Sequence, residues 1–220
     1  AMADAVGMPP LSVTAHYLAP GRVGLCEVAV EVLRAGRRTA TAAARLRSNG
    51  SDAIAVLGTF GEQSPVGPSA VVGSPPVLPP FDECVSIRPP DPQGFGHRVD
   101  TRVRQGDDGF RHGAPTGRAD ISAWFQFADR HPIDAFGLLQ AADALPPVVF
   151  NLLDIPIGWA PTLELTVHVR GVPAPGPLRC RLASRFVQGG MFEEDGEIWD
   201  SAGRLVCQSR QLALLPRSER

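Results

Sequence analysis

A phrase that occurs twice limits this chain more than any other feature. "LSVTAHYLAP" spans 11–20 and "TLELTVHVRG" spans 162–171, and their histidines, His16 and His168, stand 152 positions apart. At that offset Leu11 matches Leu163, Val13 matches Leu165, Thr14 matches Thr166 and Ala15 matches Val167. Two further segments keep the same order. "ARLRSNGSDAIAVLGTF" (44–60) lies against "GEIWDSAGRLVCQSRQL" (196–212), both reading as strand, polar turn with glycine, strand. Upstream, "ADAV" (3–6) echoes "ADAL" (142–145). Four features in one order in both halves predict two similar structural units.

Each unit reads as a helix ending in A-D-A-apolar, a strand carrying T-x-H, a long strand and a hairpin. Period-2 alternation puts Glu164, Thr166 and His168 on one face and Leu163, Leu165 and Val167 on the other. The second unit shows its helix over 132–152, with Pro132 in the first turn and Phe136, Leu138, Leu139, Ala142 and Leu145 on a buried side. Pro146 and Pro147 end or bend it. Before it, 117–129 alternates as a strand. The first unit lacks a counterpart of that strand and most of the helix, which predicts a unit incomplete at its N-terminus with an open sheet edge. Between the units, 61–116 holds ten prolines and eight glycines and reads as a connection with one strand at 97–103. The expected division is a first unit at 1–65, a linker at 66–116 and a second unit at 117–216. The fold class is α+β.

Composition excludes several chemistries. All 21 basic residues are arginine, so no lysine Schiff base or phosphate-loop lysine exists. The net charge of −2 gives no electrostatic reason to expect nucleic acid or an anionic membrane surface. Cys26, Cys84, Cys180 and Cys207 form no C-x-x-C pair and read as free thiols of a cytoplasmic protein. No run of about 20 apolar residues is present. There is no G-x-S-x-G elbow and no H-E-x-x-H. "GFGHRV" (94–99) starts like a dinucleotide loop but lacks the third glycine.

"ADALPPVVFNL", "PTLELTVHVRG" and "DGEIWDSAGRLVCQSRQLALLP" resemble the TesB-like, type II acyl-CoA thioesterase family, in its actinobacterial branch. The resemblance covers nearly the whole chain and is strongest over 117–216. It implies a double hotdog, in which each of two fused units wraps a bent antiparallel sheet around a central helix. It also implies hydrolysis of fatty acyl-CoA by a water held by an acid, a hydroxyl and a glutamine. Carried over position by position, these fall on Glu164, on Ser184 (with Arg185 adjacent) and on Gln211. Glutamate in place of the family aspartate keeps the carboxylate and moves it one methylene outward. No metal, cofactor or prosthetic group is implied, and the expected assembly is a homodimer.

In that reading Glu164 is a general base whose pKa a partly apolar tunnel would raise. Ser184 and Gln211 orient the water, and N–H groups at Ile133–Ala135 receive the oxyanion. Phe150, Leu153, Trp159 and Trp124 are expected to set the tunnel depth. Arg179, Arg181, Arg185 and the arginines of 34–38 are candidates to meet coenzyme A phosphates. His16, His168, Asp4 and Asp143 occur in both halves and are read as structural hydrogen-bonding residues. Two rivals are a hotdog protein that binds acyl-CoA with little turnover and a hotdog hydratase, although the D-x-N-x-x-H hydratase motif is missing.

Overall fold

The computed structural model describes residues 1–21, 23–63, 70–88 and 95–216. The part of the expected linker at 66–69 and 89–94, which includes the start of "GFGHRV", lies outside the described residues.

Alternating apolar residues and glycine turns build twelve strands among the described residues. In chain order they are β1 (Pro10–Tyr17), β2 (Cys26–Ala35), β3 (Thr39–Ser48), β4 (Ser51–Gly61), β5 (Val85–Ser86), β6 (Val99–Val103), β7 (Asp120–Phe127), β8 (Thr162–Val169), β9 (Leu178–Ala183), β10 (Val187–Gln188), β11 (Met191–Trp199) and β12 (Leu205–Leu214). All pair antiparallel in one sheet, ordered β2-β3-β4-β1-β8-β12-β11-β9-β7-β6-β5, with β10 on β11. Two short helices accompany them, α1 (Met2–Val6) and α2 (Ala135–Ala141). No helix among the described residues is long and apolar enough to cross a membrane.

The sheet order explains the sequence repeat. β2-β3-β4-β1 in the first half matches β9-β11-β12-β8 in the second, and the two runs join where β1 pairs with β8. In that pairing Thr14 lies opposite Thr166, so residues 152 apart meet at the centre of the seam, and their hydroxyls share a 2.9 Å hydrogen bond. The T-x-H phrase therefore marks the local two-fold centre of the molecule. His16 and His168 lie on its outer, exposed face.

The hairpins form where the turn chemistry predicts. Asn49 and Gly50 both take positive φ, 49° and 81°, the geometry a two-residue turn between twisted strands demands. In the second unit Asp200 closes the β11–β12 turn by accepting from the Arg204 backbone N–H (2.9 Å) and guanidinium.

Two expectations are corrected. The helix predicted over 132–152 is α-helical only at Ala135–Ala141, because the Asp134 carboxylate caps it two residues after Pro132 and the Pro146–Pro147 pair diverts the chain into a 3-10 turn at Val148–Asn151. The 61–116 segment carries the strand expected at 97–103, as β6, but is more than a connection because a second strand, β5, pairs with it. Its β5 and β6 extend the sheet beyond β7, and the indole of Trp124 donates to the Pro79 carbonyl at 2.9 Å.

The core is unevenly placed. Leu138, Val148, Phe125, Leu178, Ile198 and Cys207 are essentially fully buried between α2 and the inner face of the second unit. On the first unit's inner face β3 contributes the small residues Ala40, Ala42 and Ala44. Its edge strand β2 has no strand partner on its outer side among the described residues, whereas β7 covers the equivalent edge of β9.

Candidate active site

Strand register assembles the polar part of the site. Ala15, Leu165, Gln211 and Glu194 stand side by side across β1, β8, β12 and β11, all on the inner face. Gln211 and Glu194 are buried there. The Gln211 amide donates to Glu194 Oε1 at 3.2 Å and accepts from Thr162 Oγ1 at 3.4 Å. The Val148 N–H, delivered by the turn after the two prolines, donates to Glu194 Oε2 at 2.8 Å. Burial pushes the Glu194 carboxyl up to about 8. The Val148 N–H partly opposes this, while the neighbouring Asp143 and Glu193 add to it. At neutral pH Glu194 is thus chiefly a neutral acid.

Asp143 supplies the second carboxyl. It follows α2 and lines a cavity of about 490 Å³ between that helix and the seam strands. The walls are largely apolar: Val13 and Ala15 from β1, Leu165 and Val167 from β8, Phe136 and Leu139 from α2. Burial pushes Asp143 up to about 6, and a hydrogen bond from the Tyr17 hydroxyl partly offsets the rise. Tyr17 in turn is pushed up to about 12, first by its own burial and then by the Asp143 charge. The two carboxyls titrate on either side of neutrality. Asp143 is mostly ionised and can take a proton, while Glu194 is mostly protonated and holds the Gln211 amide.

The residues proposed from sequence are divided by this geometry. Gln211 is at the centre of the inner row. Ser184 follows Ala183, which pairs with Asp195, so the same row continued past the end of β9 places Ser184 beside Glu194. Its Oγ is buried without a hydrogen-bond partner among the described residues. Glu164 is elsewhere. It lies opposite His16 and Leu212 on the outer face and accepts from the Thr166 hydroxyl, so the sheet separates it from Gln211.

Thr162 shares parity with Glu164 yet reaches inward, because the β8–β12 register shifts between Leu212 and Ala213. Just beyond the expected oxyanion donors, the Asp134 carboxylate caps the helix start, accepting from the Phe136 and Gly137 N–H groups at 2.9 and 2.8 Å. The expected tunnel residues do not line the cavity. Leu153 and Trp159 are exposed, Phe150 packs on Phe110, and Trp124 stacks edge-on with Phe81. Of the arginines, Arg185 is engaged by Glu193 and Asp195, and Arg179 lies over the Trp124 ring.

Sequence reasoning passed over Glu194 and gave Asp143 a structural role. A signal for Glu194 existed: Phe192, Glu194, Gly196 and Ile198 share one strand face, and an acid on an apolar face must be paired or neutral.

An antiparallel sheet packed on a short helix, with a largely apolar cavity between them, is the arrangement of a hotdog fold. The comparisons make the assignment specific. Residues 1–61 match the family model for the acyl-CoA thioesterase N-terminal domain and residues 75–215 that for the C-terminal domain. The chain therefore belongs to the acyl-CoA thioesterase family, in its TesB-like group. It is 30% identical over 225 residues to an uncharacterised protein of Mycobacterium tuberculosis, covering 94% of this chain and 76% of the relative. A structure from Thermobifida fusca assigned as a thioesterase II superposes with a TM-score of 0.84 at 32% identity, over 95% of this chain and 79% of that one. The Mycobacterium marinum acyl-CoA thioesterase II TesB2 shares the fold, with a TM-score of 0.71 at 19% identity over 97% and 83% of the two chains.

Proposed function

We propose that the chain is a double hotdog that hydrolyses fatty acyl-CoA to free fatty acid and coenzyme A, with Asp143, and not Glu164, as the base. The observation that carries this reading is the placement of Asp143: a carboxyl on the otherwise largely apolar wall of a cavity at the seam, with its pKa raised to about 6. The Asp143 carboxylate takes a proton from water as the water oxygen bonds to the thioester carbon. The tetrahedral intermediate then collapses, the C–S bond breaks, and the thiolate leaves with the proton that Asp143 returns. Gln211 and Thr162 orient the water, and neutral Glu194 fixes the Gln211 amide, with Ser184 beside it in the same row. No metal or prosthetic group enters this scheme. Exposed Val28, Val32 and Leu33 on the uncovered strand β2 support self-association as a homodimer, which sedimentation velocity tests.

The deciding experiment measures thiol release from a panel of acyl-CoAs. Asp143→Asn is expected to lower kcat by about 10²–10⁴-fold, while Glu164→Gln retains most of the activity. Full turnover by Asp143→Asn would overturn the assignment, and tight acyl-CoA binding without thiol release would replace hydrolysis with a binding role.

A further inference from the structure

We infer that Tyr17 is a positioning residue whose hydroxyl holds the Asp143 carboxyl in place from across the seam between the two units. The inference rests on the proposed role of Asp143. Tyr17 ends β1 and belongs to the first unit, whereas Asp143, Gln211 and Glu194 all belong to the second. By alternation its side chain shares the inner face of β1 with Val13 and Ala15, and all three line the cavity. The surrounding wall offers mainly hydrocarbon. Against such a wall a hydrogen-bond donor favours the carboxylate over the neutral acid. The phenol supplies that donor.

The internal repeat shows that the fold itself does not require this hydroxyl. At the 152-residue offset Tyr17 corresponds to Val169, which is buried and apolar. The same strand position is therefore satisfied by hydrocarbon in one unit and carries a phenol in the unit whose inner face shares a cavity with an acid. Two titratable groups bear on Asp143, Tyr17 from β1 and Glu194 from β11. They act in opposite senses. The Tyr17 donor favours the carboxylate, and any negative charge on Glu194 disfavours it.

Two measurements test this. In the pH profile of kcat/KM, Tyr17→Phe is expected to move the acid limb upward by about one unit, because the carboxylate loses its donor while the apolar wall around it persists. Activity near pH 6 then falls by about fivefold and recovers at alkaline pH. A profile that superposes on the parent, or one that falls equally at every pH, overturns the inference. The second readout needs no turnover. The chain has one tyrosine, so 3-fluorotyrosine incorporation labels Tyr17 alone and its ¹⁹F resonance reports the phenol titration. Asp143→Asn is expected to lower that midpoint by about one pH unit, since it removes the adjacent charge. An unchanged midpoint overturns the Tyr17–Asp143 contact whatever the activity shows. A shifted midpoint in an Asp143→Asn protein that still turns over fully would overturn the catalytic role alone.

Discussion

Glu194 is a buried carboxyl and Asp143 one that lines an apolar cavity; their surroundings split their proton affinities, and this split has a measurable cost. Both have folded pKa values, about 6 and about 8, above the unfolded carboxyl range near ~4. The folded state therefore binds more protons than the unfolded chain between those limits. The stability each contributes is complete below about pH 4 and is lost as pH rises through its folded value. Asp195 and Asp200 behave oppositely. The Arg210 guanidinium holds the first below the usual carboxylate range, and hydrogen bonds from Ala174 and Arg204 overcome burial to lower the second. Their contribution is present above the unfolded pKa and is lost on acidification. The melting temperature is expected to fall between pH 6 and 9, and Glu194→Gln is expected to flatten that slope. Calorimetry across this range checks it, and an equal slope in the variant counts against a protonated Glu194 at neutral pH.

Among the elements, α2 is the one on which the site turns. With 7 residues it is too short to persist without tertiary support, so its N-cap matters. Asp134→Ala leaves two N–H groups without their acceptor and is expected to destabilise the protein by about 1 kcal/mol, read from denaturant unfolding. How much of this was legible in sequence depended on the kind of signal. Strands and hairpins were readable because period-2 patterning and the Asn49–Gly50 turn are local. Of the buried side expected over 132–152, Leu138, Ala142 and Leu145 are buried while Phe136 is exposed, and a stripe of buried residues continues through a proline-diverted coil as easily as through a helix. The site was only half legible. Gln211 stood out as a polar residue on a small-residue face. Glu164 was carried over from the family resemblance, whereas the alternation of β8 already set it on one face with Thr166 and His168, which is the outer one; the register shift at Leu212–Ala213 lets Thr162 reach inward instead. Asp143 escaped because its partner, Tyr17, is 126 positions away (143 − 17), and only the β1–β8 seam brings them together.

For the molecule as a whole, burial is concentrated in the second unit. Leu138 on α2 is fully buried, so Leu138→Ala is expected to cost about 2–5 kcal/mol. Val32 on β2 is 43% exposed, and Val32→Ala is expected to change stability by about 0.5 kcal/mol or less. Unfolding midpoints of the two variants check this contrast, and equal losses would argue that β2 is covered in solution. The seam has one more consequence. β1 is hydrogen-bonded on both sides, to β4 and β8, and β8 likewise to β1 and β12. Neither strand can release its amides to deuterium until a neighbouring ladder opens, so both are expected among the slowest-exchanging segments of the chain. The half with little core of its own is thereby lent the kinetic protection of the half that has one.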